Sequence, residues 1–111
     1  MKTTILLNNE TLGAGNDGLG EKLIGSFLRK IWMLVEKPDS VIFYNSAVKL
    51  LSKDSLVLDV LVPLYNSGVD LIACGTCVGF FNLEGKLEVG RVSDMSEIVR
   101  ILTNSEKVIT P

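Results

Sequence analysis

The chain has no histidine, and its 111 residues hold only two cysteines and one tryptophan. Without histidine it lacks the one side chain that ordinarily titrates near neutral pH, and it lacks imidazole as a metal ligand. A structural zinc site takes about four Cys or His ligands. Two cysteines supply half of one, so zinc would need two subunits face to face. Strong charge is absent too. Eleven basic against 13 acidic residues leave a net charge of -2, which gives no electrostatic case for nucleic acid or for an anionic membrane. No apolar run approaches a membrane span. The opening MKTTILLNNE carries one lysine and an apolar stretch too short for a signal peptide. The expected setting is a reducing cytoplasm, where a chain with two cysteines does not rely on a structural disulfide.

What is present is concentrated. Both cysteines fall in one C-x-x-C, within DLIACGTCVGFF (Asp70–Phe81), directly after an apolar run. Around it, 47% apolar and 22% charged residues describe a globular chain. Its length fits a single domain over residues 1–111 with a core that needs no disulfide staples.

Strand-like and helix-like segments alternate. TILLN (Thr4–Asn8) is β-rich, and LGAGNDGLG (Leu12–Gly20) is a glycine-punctuated loop. Apolar residues at Leu19, Leu23, Ile24, Phe27, Leu28, Ile31, Met33 and Leu34 predict a helix over Leu19–Val35, stopped by Pro38 and Asp39. SVIFY (Ser40–Tyr44) reads as a strand buried on both faces. A short helix follows at Ser46–Leu51. A longer one runs from Lys53 or Asp54 to Asn66, ended by Gly68. A third strand covers Val69–Ala73, a short helix Cys77–Leu83, and a fourth strand lies within Leu87–Val92. Asp94 opens the last helix with Glu97 as its capping-box partner, and Val108–Thr110 is the last strand. This alternation predicts an α/β fold, a parallel sheet with helices on both sides. In such sheets ligands bind beyond the carboxyl ends of the strands. Four segments reach that edge: Gly13–Gly18, Asn45–Ser46, Cys74–Cys77 and Ser93–Met95.

Gly13, Gly15 and Gly18 match G-x-G-x-x-G between a strand and a helix. The first glycine comes late, after Asn9–Leu12. The second strand ends in Asn45 rather than in an acid that would hold a ribose, and the chain is too short for two mononucleotide-binding halves. The loop therefore reads as a turn closing over the edge, whose backbone N–H groups, with those of the following helix, have the chemistry to bind a small anion.

For the cysteines, buried inert thiols stand against a reactive pair, because Cys is among the most buried residue types. The setting favours reactivity. CGTC lies at a strand-to-helix junction, where unpaired helix N–H groups stabilise a thiolate. Gly75 permits close backbone approach and Thr76 is placed to cap the helix. With no histidine as base, backbone dipoles or a lysine such as Lys49 must do the activating.

CGTCVGFFNLEGKLEVGRVSDMSEIVRIL, FYNSAVKLL (Phe43–Leu51) and LGAGNDGLGEKLIGSFL resemble the DsrE-like domain of the YedF-type, sulfurtransferase-like proteins linked to selenium metabolism. The resemblance covers essentially the whole chain. Asn82 and Ala47 stand where that family has glycine, and the C-P-x-P sulfur-carrier domain of longer relatives has no counterpart. The resemblance implies a three-layer α/β/α sandwich on a five-stranded parallel sheet, no cofactor, and a sulfur or selenium relay. Cys74 at the strand end is the implied acceptor of a sulfane sulfur, its thiol more acidic than usual, and Cys77 the resolving thiol. Asn45, Thr76 and backbone N–H groups are expected to hold the sulfur, with Lys49, Gly75 and Met95 at its margin. The expected partners are sulfur donor and acceptor proteins. Two alternatives are a dithiol redox protein or sensor and a non-enzymatic partner-binding subunit. Against the first, thioredoxin-like chains place C-x-x-C early and often after a tryptophan, whereas here it comes late and the tryptophan is Trp32.

In SLVLDVLVPLYNSG (Ser55–Gly68), apolar residues at 56, 57, 58, 60, 61, 62, 64 and 65 wrap almost all round a helix. A surface helix keeps a polar face, so this one is expected to be buried twice, against the sheet and against another subunit, in a homo-oligomer.

Overall fold

Parallel strands can be joined only by crossovers, and those crossovers are right-handed. In the computed structural model, which describes residues 2–111, that rule fixes the layers. The strands β1 (Thr3–Leu7), β2 (Ser40–Phe43), β3 (Asp70–Cys74), β4 (Arg91–Ser93) and β5 (Lys107–Ile109) form one parallel sheet in the order β4-β3-β2-β1-β5. From β1 to β4 the chain steps always in one direction, so its connections share one face. These are α1 (Asp17–Trp32), a 3-10 helix (Asn45–Leu51) with α2 (Leu58–Asn66), and α3 (Gly75–Phe80). From β4 the chain returns across the whole sheet to β5, which puts α4 (Met95–Asn104) on the opposite face. The result is the expected three-layer α/β/α sandwich.

The two apolar clusters follow the faces. The larger joins Leu7, Val41, Phe43, Leu71 and Ala73 of the sheet to Ile24, Leu28, Leu51, Leu61, Leu64 and Val78. The smaller joins Ile42, Ile72 and Cys74 to Ile98 of α4. All four residues of β2 are buried, as a central strand between two helical layers requires.

Several boundaries differ from expectation for identifiable reasons. Helix α1 starts earlier because Asn16 caps it, its side chain accepting from the Leu19 N–H. It ends at Trp32, where Met33 N–H bonds to the carbonyls of both Arg29 and Lys30 and the last turn tightens; Met33 and Leu34 are exposed rather than core. Helix α2 is shorter than expected. Ser55 Oγ accepts from Val57 N–H and holds a turn ahead of the helix, so Leu56, 81% exposed, lies outside it. Gly68 follows α2 in the left-handed conformation, as its ending requires. Helix α3 begins two residues before the expected Cys77. The fourth strand is the end of its expected segment, Arg91–Ser93.

The all-round apolar α2 was an effect of counting Leu56 and Val57 into it. In the fold Val60, Leu61 and Leu64 are buried within the chain, while Asp59, Tyr65 and Asn66 face outward. The helix therefore keeps a narrow polar strip at Asp59 and Asn66 beside the exposed Tyr65.

Edge strand β4 has only three residues, and it is anchored by charge. Arg91 Nε and Nη2 donate to the two carboxylate oxygens of Asp70 at 2.9 and 2.8 Å, and Nη1 and Nη2 donate to Glu97 at 2.7 and 3.1 Å. The Ser93 hydroxyl also hydrogen-bonds Glu97. Asp94 caps α4 by accepting from Glu97 N–H. The Glu97 carboxylate does not close the expected capping box; it ties α4 to β4 instead. Bidentate pairs of this kind are stronger and more directional than single surface contacts, although all three side chains stay about a third exposed.

Two outcomes follow. Leu61→Ala, at a fully buried site, should cost about 2–5 kcal/mol in denaturant unfolding; a change of oligomeric state with stability intact would place Leu61 at an interface instead. The second concerns acid. Arg91 first, then Ser93, holds the Glu97 carboxyl at about 2, down from 4.5. Between those values the folded state binds fewer protons than the unfolded one. The stabilisation is complete above pH 4.5 and lost as pH falls through about 2. Arg91→Leu should lower Tm near neutrality and flatten the acid limb of a Tm-against-pH curve; an unchanged acid limb would show that the cluster contributes nothing.

Candidate functional site

Reversal of chain direction after β4 makes a topological switch point in the sheet. β3 is followed by α3 on one face of the sheet, and its neighbour β4 is followed by α4 on the other. Two adjacent strands whose continuations part in this way define the switch point at which open α/β sheets bind ligands. Here it lies between Cys74–Gly75 and Ser93–Met95, so the cysteines stand where the fold class places chemistry.

Cys74 is the last residue of β3 and the N-cap of α3. Expected at an exposed lip, it is only 3% exposed, with its side chain in the cluster on the α4 side of the sheet. Cys77, half-buried in the first turn of α3, touches both clusters and lies nearer the surface. The two thiols are free and come within 3.6 Å of one another.

Asn45 contributes through its backbone. It follows β2 with φ at 50°, a left-handed conformation that Asn tolerates better than most residues. Its N–H donates to Cys77 Sγ at 3.1 Å. That contact favours the thiolate, but it is outweighed. Burial first, then the neighbouring Cys74, leaves the Cys77 thiol above its ordinary value. Helix α3 has six residues, too few to build much of a dipole.

The other expected residues divide. Gly75 does what its position requires. A Cβ there would sit 3.2 Å from the Ser93 carbonyl oxygen and 3.3 Å from Val92 Cγ1, so glycine lets α3 start tight against β4. Thr76 is exposed in the first turn and caps nothing, because Cys74 holds the N-cap position. Lys49 Nζ lies over the Phe81 ring at 4.6 Å and 3.5 Å from Glu10, so its charge is engaged there rather than at either sulfur. Met95 opens α4 beside the switch point, half exposed.

Tyr44 is the residue that sequence reasoning left out, although it stands within the FYNSAVKLL segment. It lies one step beyond the paired Phe43 and Ala73, hence beside Cys74, and packs in the cluster that holds both cysteines. Its hydroxyl donates to Met95 Sδ at 3.7 Å. Burial, then the charges of Cys74 and Cys77, push the phenol above its ordinary value.

The glycine loop serves the chain itself. A Cβ on Gly20 would lie 2.6 Å from Thr11 Cβ, and Leu12 N–H bonds to the Gly20 carbonyl, so the close approach is between loop and helix. Asn16 and Asp17 occupy the N-terminus of α1, which leaves its amides poorly disposed to a further anion. Among the described residues, no cluster of three or more His, Cys, Asp or Glu is arranged to hold a metal ion, and no helix is long and apolar enough to cross a membrane.

No protein-family model matches the chain, and no curated protein matches it. Solved structures do. The crystal structure of ychN protein from E. coli aligns with a TM-score of 0.69 at 13% identity, covering 100% of both chains. The protein of unknown function MTH1491 from Methanobacterium thermoautotrophicum aligns at 0.72 and 23% identity, over 99% of this chain and 98% of that one. The conserved protein of unknown function BT1422 from Bacteroides thetaiotaomicron aligns at 0.63 and 18% identity, over 99% and 95%. At these identities the likeness is one of architecture, and the architecture is the DsrE-like fold.

Proposed function

We propose that the chain is a sulfur-relay protein that carries a sulfane sulfur on its cysteine pair. The observation that carries this reading is the pair itself: two free thiols within 3.6 Å at the switch point of the sheet, one of them receiving a backbone N–H. Nothing in the chemistry asks for a base stronger than solvent or for a metal. A thiolate attacks a sulfur of a polysulfide or persulfide donor, a new S–S bond forms, and the electron pair of the broken S–S bond leaves with the shortened donor. The incoming sulfur is already zero-valent, so no outside oxidant is consumed.

Exposure supports an order opposite to the one expected from strand position. Cys77 is half-buried, whereas Cys74 is 3% exposed, so Cys77 is the more accessible of the two. Cys77 therefore loads, and Cys74 resolves. The Cys74 thiolate attacks the Cys77 sulfur of the persulfide, the terminal sulfur leaves as hydrosulfide, and a Cys74–Cys77 disulfide remains. Where an external acceptor takes the terminal sulfur first, the pair returns to the dithiol. Val92 and Met95, each 52% exposed, leave apolar surface beside the switch point for a donor or acceptor protein.

The same proximity favours a second reading, a dithiol that cycles through the disulfide without carrying sulfur. Intact mass and cyanolysis after treatment with inorganic polysulfide separate the two. In Cys74→Ser, which lacks the resolving thiol, relay predicts one added sulfur per chain that cyanide removes as thiocyanate; redox alone predicts no added sulfur there and only the loss of two hydrogens in the wild type. Cys77→Ser should abolish loading, and Cys74→Ser should load and hold the sulfur longer. The inverse pattern would restore Cys74 as acceptor, and no loading in any form would end the relay reading. Because the Cys77 thiol is raised, the loading rate should keep climbing with pH beyond the point at which a free cysteine levels off. Cys74→Ser should bring that midpoint down, since Cys74 is among its causes.

A further inference from the structure

Tyr44 has no part in that sequence of steps, yet it packs in the cluster that holds both sulfurs. Its ring packs with Cys74 and Cys77 on the α4 side of the sheet. Its hydroxyl spans toward the first turn of α4 and meets a thioether, Met95 Sδ, at 3.7 Å. A thioether is a weak acceptor, so a strong donor is spent on a poor partner in the resting site. The backbone N–H of the next residue, Asn45, already points at Cys77 Sγ. Consecutive residues at the end of β2 thus place one donor on Cys77 and a second, held by a thioether, in the same cluster, beside a sulfur pair that has no histidine to serve it.

We infer that Tyr44 is a further residue of the sulfur site, its phenol hydroxyl exchanging Met95 Sδ for the sulfur atoms held on Cys77 and stabilising the thiolate that forms when the carried sulfur leaves. This rests on the sulfur-carrying reading above. In the transfer step an acceptor nucleophile attacks the terminal sulfur, the S–S bond breaks, and its electron pair moves to Cys77 Sγ. Negative charge therefore grows on that atom, where Asn45 N–H and the Tyr44 hydroxyl converge. A phenol kept above its ordinary pKa stays protonated near neutral pH and remains a donor throughout. The cations near the site are committed elsewhere: Lys49 faces Glu10, and Arg91 closes on Asp70 and Glu97; Glu84 lies against Gly79 on α3.

Tyr44→Phe keeps the ring and removes only the hydroxyl. Two measurements on the whole chain test it. With Cys74→Ser loaded by inorganic polysulfide, cyanide attacks the terminal sulfur and departs as thiocyanate. The Phe variant should release it roughly tenfold more slowly, the scale of one lost hydrogen bond to a charged group. In unloaded protein carrying Cys74→Ser, iodoacetamide labels Cys77 alone. Adding Tyr44→Phe should move the pH midpoint of labelling upward, because a donor to the thiolate is gone. A lowered Tm with both readouts unchanged would mean that the hydroxyl only packs, and would overturn the inference while leaving the relay intact. Failure of Cys74→Ser to load, with cyanolysis run in that background, would overturn the relay reading on Cys77 and this inference together.

Discussion

The right-handed crossover constrains everything else in this molecule. Four strands laid down in one direction give three connections on one face, and only the return from β4 to β5 breaks the series. That single reversal supplies the second helical layer, makes α4 the lid of the smaller core, and parts the chain after β3 and β4. A switch point at the carboxyl ends of those strands is a geometric consequence of the strand order, present before any side chain is chosen. The C-x-x-C lies at it, with Cys74 turned into the core on the α4 side.

A switch point at an edge strand of three residues needs that strand held. Backbone pairing over Arg91–Ser93 is short, and Val92 is half exposed, so apolar burial contributes little there. The Arg91 guanidinium makes up the difference. It ties the start of β4 to the start of β3 through Asp70 and to α4 through Glu97, and Ser93 adds its hydroxyl to the same carboxylate. Glycine at position 75 then lets α3 begin within contact of β4. Charge at one end and close backbone approach at the other fix the distance across which Cys74, Ser93 and Met95 face one another.

Much of this could be read in the sequence, and the misses have physical causes. Alternating apolar runs gave the sheet, the layers and the edge on which the cysteines lie, because a two-face-buried strand such as Ser40–Phe43 has few other readings. Gly68 and Asp94 marked helix ends correctly, since each acts within one turn of its own backbone. Asn82, where the resemblance implies glycine, has φ at 56°, a left-handed backbone that glycine also adopts. Ala47 is buried at an ordinary backbone conformation and keeps no such trace. Periodicity failed at Leu56, where a serine side chain ended a helix that hydrophobicity alone would have continued. Burial of Cys74, the preoccupation of Lys49 with Glu10 and Phe81, and the packing of Tyr44 with the cysteines are tertiary facts. No local pattern encodes them.

The absence of histidine gives the site its particular character. Cysteine chemistry usually recruits an imidazole or a strong helix dipole to lower the thiol pKa, and this chain offers neither: α3 is six residues long and the nearest lysine is paired. Burial first, then the neighbouring Cys74, leaves the Cys77 thiol above its ordinary value, against the lowering contact from Asn45 N–H. A smaller share of it is thiolate near neutral pH, and the thiolate that does form is the more basic for it. Burial and a second thiol therefore do in this site what an imidazole or a long helix would oppose in another.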